Sequence, residues 1–278
     1  MDRAQPVTVA DPHRPRGLRV GGGHSHPLYR DGHSVVHRLP AEVKIVALVV
    51  FVFAVVATPR EMFWPFAGYG LILLAVWGLA RIPLSWIAPR MLIEAPFVVL
   101  AVLLPFAEGG DRVEVAGMSL SVAGLWAAWG IVVKGTLGVA ASLTVAATTT
   151  ARELPLALSR LGVPGLITSM LVLMIRYIDV LGAEAGRMRM ARISRGDSPR
   201  TLHQAGAIAK GVGGLFLRSY ERGERVYLAM LSRGYDGTVP ALALGPGGAA
   251  RASVRQWWAA LLPAAAAVTV AVSAWVLR

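Results

Sequence analysis

Five stretches of this 278-residue sequence stay apolar for long enough to cross a bilayer as α-helices, which takes about 20 residues. They are residues 43–58, ended by Pro59 and Arg60; 62–80, ended by Arg81 and Pro83; 91–107, with Glu94 near its start; 115–147, interrupted by Lys134; and 257–277. The fourth reads either as one long tilted helix or as a helix with a break. The last opens on Trp257 and Trp258, where an aromatic belt would meet the membrane interface. Composition agrees, with 55% hydrophobic and 16% charged residues and a mean hydropathy of +0.56, against about 25% charged in soluble domains. An integral membrane protein is expected.

Lys and Arg outnumber Asp and Glu by 28 to 16, for a formal net charge of +12. The basic residues are spread among the apolar segments, which points to a membrane surface or protein partner rather than nucleic acid. The absence of cysteine excludes disulfides, Cys-ligated metal centres and a thiol nucleophile. Loops rich in Lys and Arg stay cytoplasmic. The segment through Lys44 carries seven basic residues and the turn after the second stretch carries Arg81 and Arg90, whereas the loops after the first and third are neutral or acidic. The expected layout is a cytoplasmic tail (1–42), a membrane domain of four spans (43–150), a cytoplasmic region (151–256) and a C-terminal transmembrane helix (257–278). The long polar N-terminal segment is unlike a cleaved signal. The expected location is the cell inner membrane, multi-pass, with a cytoplasmic N-terminus.

Within 151–256 two long helices are predicted, at 166–195 and 201–231, separated at Pro199. The first is apolar in its first half (Met170, Met174, Tyr177, Ile178) and basic in its second (Arg187, Arg189, Arg192), so it can graze the membrane without crossing it. Arg176 and Asp179, at i,i+3, are expected to form a local ion pair. The second helix is amphipathic, with Ile208, Val212, Leu215 and Val226 on one face and Arg218, Arg222 and Arg225 on another. Ser194-Arg195-Gly196 closes the first helix and Ser232-Arg233-Gly234 the second. Each tripeptide fits an ordinary helix end, with Gly as the left-handed cap and Arg suiting the dipole. Each also carries a five-donor guanidinium to a helix tip, where it can engage acidic groups of a partner.

Four places make the chain resemble the transmembrane coupling (T) components of energy-coupling factor (ECF) transporters, in particular the cobalt-type family CbiQ. They are Ser-Val-Val-His-Arg-Leu-Pro-Ala-Glu-Val-Lys at 34–44; Thr-Thr-Thr at 148–150 with Leu-Pro-Leu-Ala-Leu-Ser-Arg-Leu-Gly-Val-Pro at 154–164; Ile-Arg-Tyr-Ile-Asp-Val-Leu at 175–181 followed by Glu184, Arg187, Met188 and Ala191; and the paired tripeptides, commonly Ala-Arg-Gly in that family. The resemblance implies an all-α polytopic membrane protein with about five transmembrane helices and two long cytoplasmic coupling helices. It implies that Ser194, Arg195, Gly196, Ser232, Arg233 and Gly234 contact two ABC-type ATPase subunits (CbiO-like). The membrane helices would hold a substrate-binding membrane subunit (CbiM-like), with a small accessory membrane subunit (CbiN-like). The implied function is ATP-driven Co2+ uptake supplying cobalamin synthesis, or the same role in a nickel or vitamin transporter. The chain itself would be non-catalytic and bind no cofactor, ATP being used by its partners.

Two other classes compete with this reading. An intramembrane enzyme would use Glu94, Asp179 or Glu184 as acid or base, but convergent polar groups within spans are lacking. A self-sufficient secondary transporter would show matching halves with interrupted helices, and none is evident. A P-loop needs Gly-x4-Gly-Lys-Ser/Thr, and Gly130 to Thr136 has its Lys and Gly reversed. His24, His26, His33 and His37 are a compositional signal for divalent metal, carrying no expectation of a bound metal.

Overall fold

Lipid offers no hydrogen bonds to a backbone, so an apolar segment crossing it must satisfy its own amides and carbonyls as a helix. The computed structural model describes residues 28–30, 32–107, 109, 111–115, 118–196, 205–237 and 252–277. The five apolar stretches fold as α1 (Ala41–Ala57), α2 (Trp64–Ala80), α4 (Ala95–Ala107), α5 (Val122–Thr148) and α9 (Val254–Val276). Short α3 (Leu84–Ile87) and a 3-10 segment (Ala88–Glu94) lead into α4 without a break, so the third span starts earlier than the sequence suggested. The fourth starts later, because β1 (Arg112–Val115) pairs antiparallel with β2 (Met118–Ser121) ahead of it. Arg112 and Glu114 alternate there with Val113 and Val115, a strand period that cannot continue a helix. Ser121 then caps α5 by accepting the Gly124 N–H at 3.3 Å, and α5 runs unbroken for 27 residues.

α1 is the axis of the bundle, packing against α5 and α9, while α2 also meets α5 and α9 and α4 lies along α5. Phe51 and Val55 of α1, Phe66, Tyr69 and Leu73 of α2, Leu137 and Ala141 of α5 and Ala267 and Ala271 of α9 share one core. α9 contributes small residues: Ala260, Ala264, Ala267, Ala271 and Ala274 are all buried, at alternating spacings of four and three. Helices in lipid gain little from burying apolar area against one another, and small residues let their backbones approach for close packing. α4 approaches α5 as closely at Gly124, where a β-carbon would meet Pro105 Cα at 2.7 Å and Leu104 O at 2.8 Å. The outward faces stay apolar, as at Phe97, Leu100, Leu103 and Phe106 of α4.

The helix ends are closed by side chains from neighbouring helices. Lys134 of α5 donates from Nζ to Val56 O at 2.7 Å and Thr58 O at 2.8 Å, and Trp275 Nε1 donates to Ala57 O at 3.0 Å. At the opposite end Lys44 of α1 donates from Nζ to Thr148 O, the last residue of α5, at 2.7 Å. These bonds supply donors that the last turn of a helix lacks.

Three further helices stand apart from this bundle: α6 (Glu153–Arg160), α7 (Gly165–Ser194) and α8 (Ala205–Leu231). α7 and α8 match the two predicted long helices closely; residues 201–204 lie outside the described residues, and α6 was not anticipated. By length and composition alone α7 could cross a membrane, as could Leu84–Phe106, α5 and α9. α7 packs on α6 and α8 and carries Arg176 and Asp179, neither of them buried, within its apolar half.

The alanine seam generates a test. Ala267→Leu, at a position with no exposure, is expected to overpack the α1–α9 contact by about 1–3 kcal/mol and lower the thermal unfolding midpoint in detergent. Ala265→Leu, on the exposed face, should leave it unchanged. Equal midpoints for the two would contradict the seam.

Candidate functional site

The two Ser-Arg-Gly tripeptides fold into the same end geometry. The Ser194 hydroxyl donates back to Ala191 O and the Ser232 hydroxyl to Ala229 O, each at 3.0 Å. Arg195 N–H donates to Arg192 O and Arg233 N–H to Met230 O, each at 3.0 Å. Gly196 (φ +83) and Gly234 (φ +79) then turn the chain in the left-handed region that only glycine enters at little cost. Both arginines are exposed, and neither has an ion-pair partner among the described residues.

α7 and α8 run antiparallel, as their contacts show: Glu184 meets Arg218 and Arg222, and Ser169 Oγ donates to Gly237 O at 3.4 Å. Glu184 is the polar centre of the pair. Its Oε1 accepts Arg218 NH1 at 3.2 Å and its Oε2 accepts Arg222 NH2 at 3.3 Å. The Arg218 hydrogen bond, joined by the charges of Arg222, Arg218 and Arg187, holds its carboxyl below the usual carboxylate range against the opposing effect of burial. Arg195 lies 11 residues beyond Glu184, and Arg233 lies 11 beyond Arg222. Arg218, the other arginine of the contact, lies 15 residues before Arg233, so at 1.5 Å per residue the tips are about 16–22 Å along their helices from this contact, on opposite sides of it. Between the helices lies an apolar slot of about 730 Å³ lined by Met170, Met174, Tyr177, Tyr227 and Met230, with Arg222 at its edge.

At the root of the pair, two of the places that carry the sequence resemblance meet, 34–44 and 148–164. Glu42, 4% exposed, accepts Arg160 NH1 at 2.9 Å on Oε2 and the Ala252 N–H at 2.8 Å on Oε1. Lys44 closes α5 at Thr148 and reaches Thr149 Oγ1 at 3.4 Å. Neither Glu42 nor Arg160 was singled out from the sequence; the available signal was an acid and a lysine two residues apart in the first turn of an apolar helix.

The other polar residues have separate surroundings. Lys134 caps α1. Glu94, 5% exposed, accepts Thr136 Oγ1 at 3.1 and 3.2 Å and fills the space beside Gly135, where a β-carbon would collide with it. The expected Arg176–Asp179 ion pair does not form, and neither residue has an ion-pair partner among the described residues. Glu94, Asp179 and Glu184 therefore do not converge as an acid–base site. His24 and His26 lie outside the described residues, His37 bonds Ser34 Oγ at 2.6 Å and Arg30 O at 3.1 Å, and no three metal-binding side chains come together among the described residues.

Because the carboxyl of Glu184 is held low, its contribution to stability is present above its unfolded value of about 4.3 and is lost as pH falls through the folded value. Glu184→Gln should lower the unfolding midpoint near neutral pH, and its difference from the native chain should vanish on acidification. A difference that does not change with pH would show that the charge of Glu184 does not join the helices.

Comparison with known proteins bears on the same elements. Residues 32–242, from before α1 to beyond the second tripeptide, match the family model CbiQ, described as cobalt transport protein. The energy-coupling factor transporter transmembrane protein EcfT of Bacillus selenitireducens is 29% identical over 229 residues, covering 75% of this chain and 82% of that one. EcfT of Thermotoga maritima is 25% identical over 217 residues, covering 74% and 79%. An uncharacterized protein of Methanocaldococcus jannaschii is 27% identical over 214 residues, covering 74% and 73%. With the matched region spanning most of the chain and the polytopic helical fold in agreement, the chain belongs to the CbiQ cobalt transport family and is a T component of an energy-coupling factor transporter.

Proposed function

We propose that this chain couples two ABC-type ATPase subunits to a substrate-binding membrane subunit in ATP-driven Co2+ uptake. The observation that carries the reading is the pair of matched tips: two exposed arginines, in one repeated end geometry, at the ends of two antiparallel helices. Such an arrangement has local two-fold character, and a pair of like subunits presents the same groove twice about a two-fold axis. Arg195 and Arg233 each offer a planar fork suited to a carboxylate. Ser194 and Ser232 tie back onto the helix, and Gly196 and Gly234 turn the backbone away beside the partner.

The slot between α7 and α8 supplies the seat for the substrate-binding subunit, since Met170, Met174 and Met230 can repack against another helix surface. The distribution of Lys and Arg supports a cytoplasmic N-terminus and a cytoplasmic α7–α8 pair in the inner membrane. The family description supports cobalt as the ion, with selection among metals belonging to the partner that binds it. ATP is consumed by the ATPase subunits, and this chain acts without a catalytic step or cofactor of its own.

The double variant Arg195→Glu/Arg233→Glu should abolish Co2+ uptake and ATPase co-purification, because reversing a buried interfacial charge costs about 2–5 kcal/mol or more per site. Arg189→Glu, equally exposed but away from the tips, should do neither. Full uptake and intact complexes in the double variant would overturn the assignment.

A further inference from the structure

The α7–α8 pair is joined to the membrane bundle through very few contacts. Among the described residues, α8 packs on α7, α7 on α6 and α6 on α1, with no other element making more than glancing contact with the pair. The turn from α6 into α7 leaves little slack. Leu161 N–H donates to Ala157 O, Gly162 N–H to Ser159 O and Val163 N–H to Leu158 O, at 3.0–3.1 Å, with Gly162 at φ +91 and Pro164 at the start of α7. α6 and α7 are thereby held as one bent lever.

Where α6 packs on α1, one carboxylate links both crossings of the chain. Arg160, the last residue of α6, bonds Glu42 Oε2, and the Ala252 N–H, two residues before α9, bonds Glu42 Oε1. The chain leaves the bundle next to Arg160 and has returned to it at Ala252, so both crossings are held by the same side chain. With 17% and 5% of the two side chains exposed, separating the pair would strand charge away from water, so displacement of α6 is resisted at this contact. Two residues further on, Lys44 binds the end of α5. The first turn of α1 thus touches α5, α6 and the entry to α9 at once.

We infer that Glu42, with Arg160 as its moving partner, is the joint through which displacement of the α7–α8 pair is transmitted to the membrane helices. Glu42 and Arg160 are positioning residues in this role and contact neither nucleotide nor cargo. The inference rests on the coupling function proposed above. It predicts that weakening the joint separates ATP hydrolysis from transport.

The test uses the full chain reconstituted with its ATPase and metal-binding subunits in liposomes, reading radioactive Co2+ taken up per ATP hydrolysed, complex stoichiometry and thermal midpoint. Glu42→Gln and Arg160→Gln should assemble and hydrolyse ATP while uptake per ATP falls by roughly tenfold, within the range of coupling between linked sites. Arg160→Lys, which keeps the charge without the fork, should recover part of the loss. Native-like uptake per ATP in both Gln variants would overturn the joint and leave the coupling function standing. Loss of assembly in both Gln variants and in Arg160→Lys would also overturn it, showing the pair to be a fold element only. Failure of the native chain to assemble with any ATPase would instead overturn the coupling function and the joint with it.

Discussion

The last carbonyls of a membrane helix need donors that lipid cannot give, and α1 and α5 obtain theirs from each other. Lys44, near the start of α1, closes the end of α5, while Lys134, within α5, closes the end of α1. Because each lysine sits on one helix and bonds the terminus of the other, the two bonds together fix both the antiparallel direction and the axial register of the pair. A slip by one turn would leave two ammonium groups and several carbonyls unsatisfied, a cost of several kcal/mol in an apolar setting. α2, α4 and α9 each pack against one or both members of this fixed pair.

The sides of the helices carry less information than their ends. α9 buries a run of alanines at alternating spacings of four and three, and α4 meets α5 where Gly124 permits contact with the backbone of Pro105. Such seams set distance but discriminate register weakly, since one small residue resembles the next. Directional bonds compensate: Trp275 to Ala57 O and Trp77 Nε1 to Thr144 Oγ1 at 2.7 Å pin α9 to α1 and α2 to α5. Holding α1 at its far end also fixes where its first turn lies, and that turn carries Glu42 to the root of the α7–α8 pair.

Much of this was legible in the sequence because it depended on local pattern. The five apolar runs, the extents of α7 and α8 and the positions of the two tripeptides follow from hydropathy, amphipathic spacing and glycine caps. What was not legible depended on residues far apart in the chain. Lys134 looked like a charge stranded in a span until its partners, 76 and 78 residues away, came into view. Glu42 and Arg160 are 118 residues apart, and neither is unusual in its own segment. The Arg176–Asp179 pair failed in the opposite way, since correct helical spacing brings two side chains near each other but does not compel an exposed pair to form. The β1–β2 pairing was hidden by its apolar neighbours, which read as an extension of α5.

Hydropathy alone cannot distinguish α7 from a span, because it reports that a surface avoids water and not what covers it. The apolar residues of α7 face a slot shared with α8, and the pair is joined chiefly around Glu184 rather than along a continuous seam. A continuous apolar seam would have drawn the helices together and eliminated the slot, burying the surface that makes α7 resemble a span. An ion contact at one place does the reverse: it fixes the crossing while leaving the apolar faces on either side available. The same contact lies between Arg195 and Arg233 along the pair, so the interaction that joins the helices also sets where the two tips project.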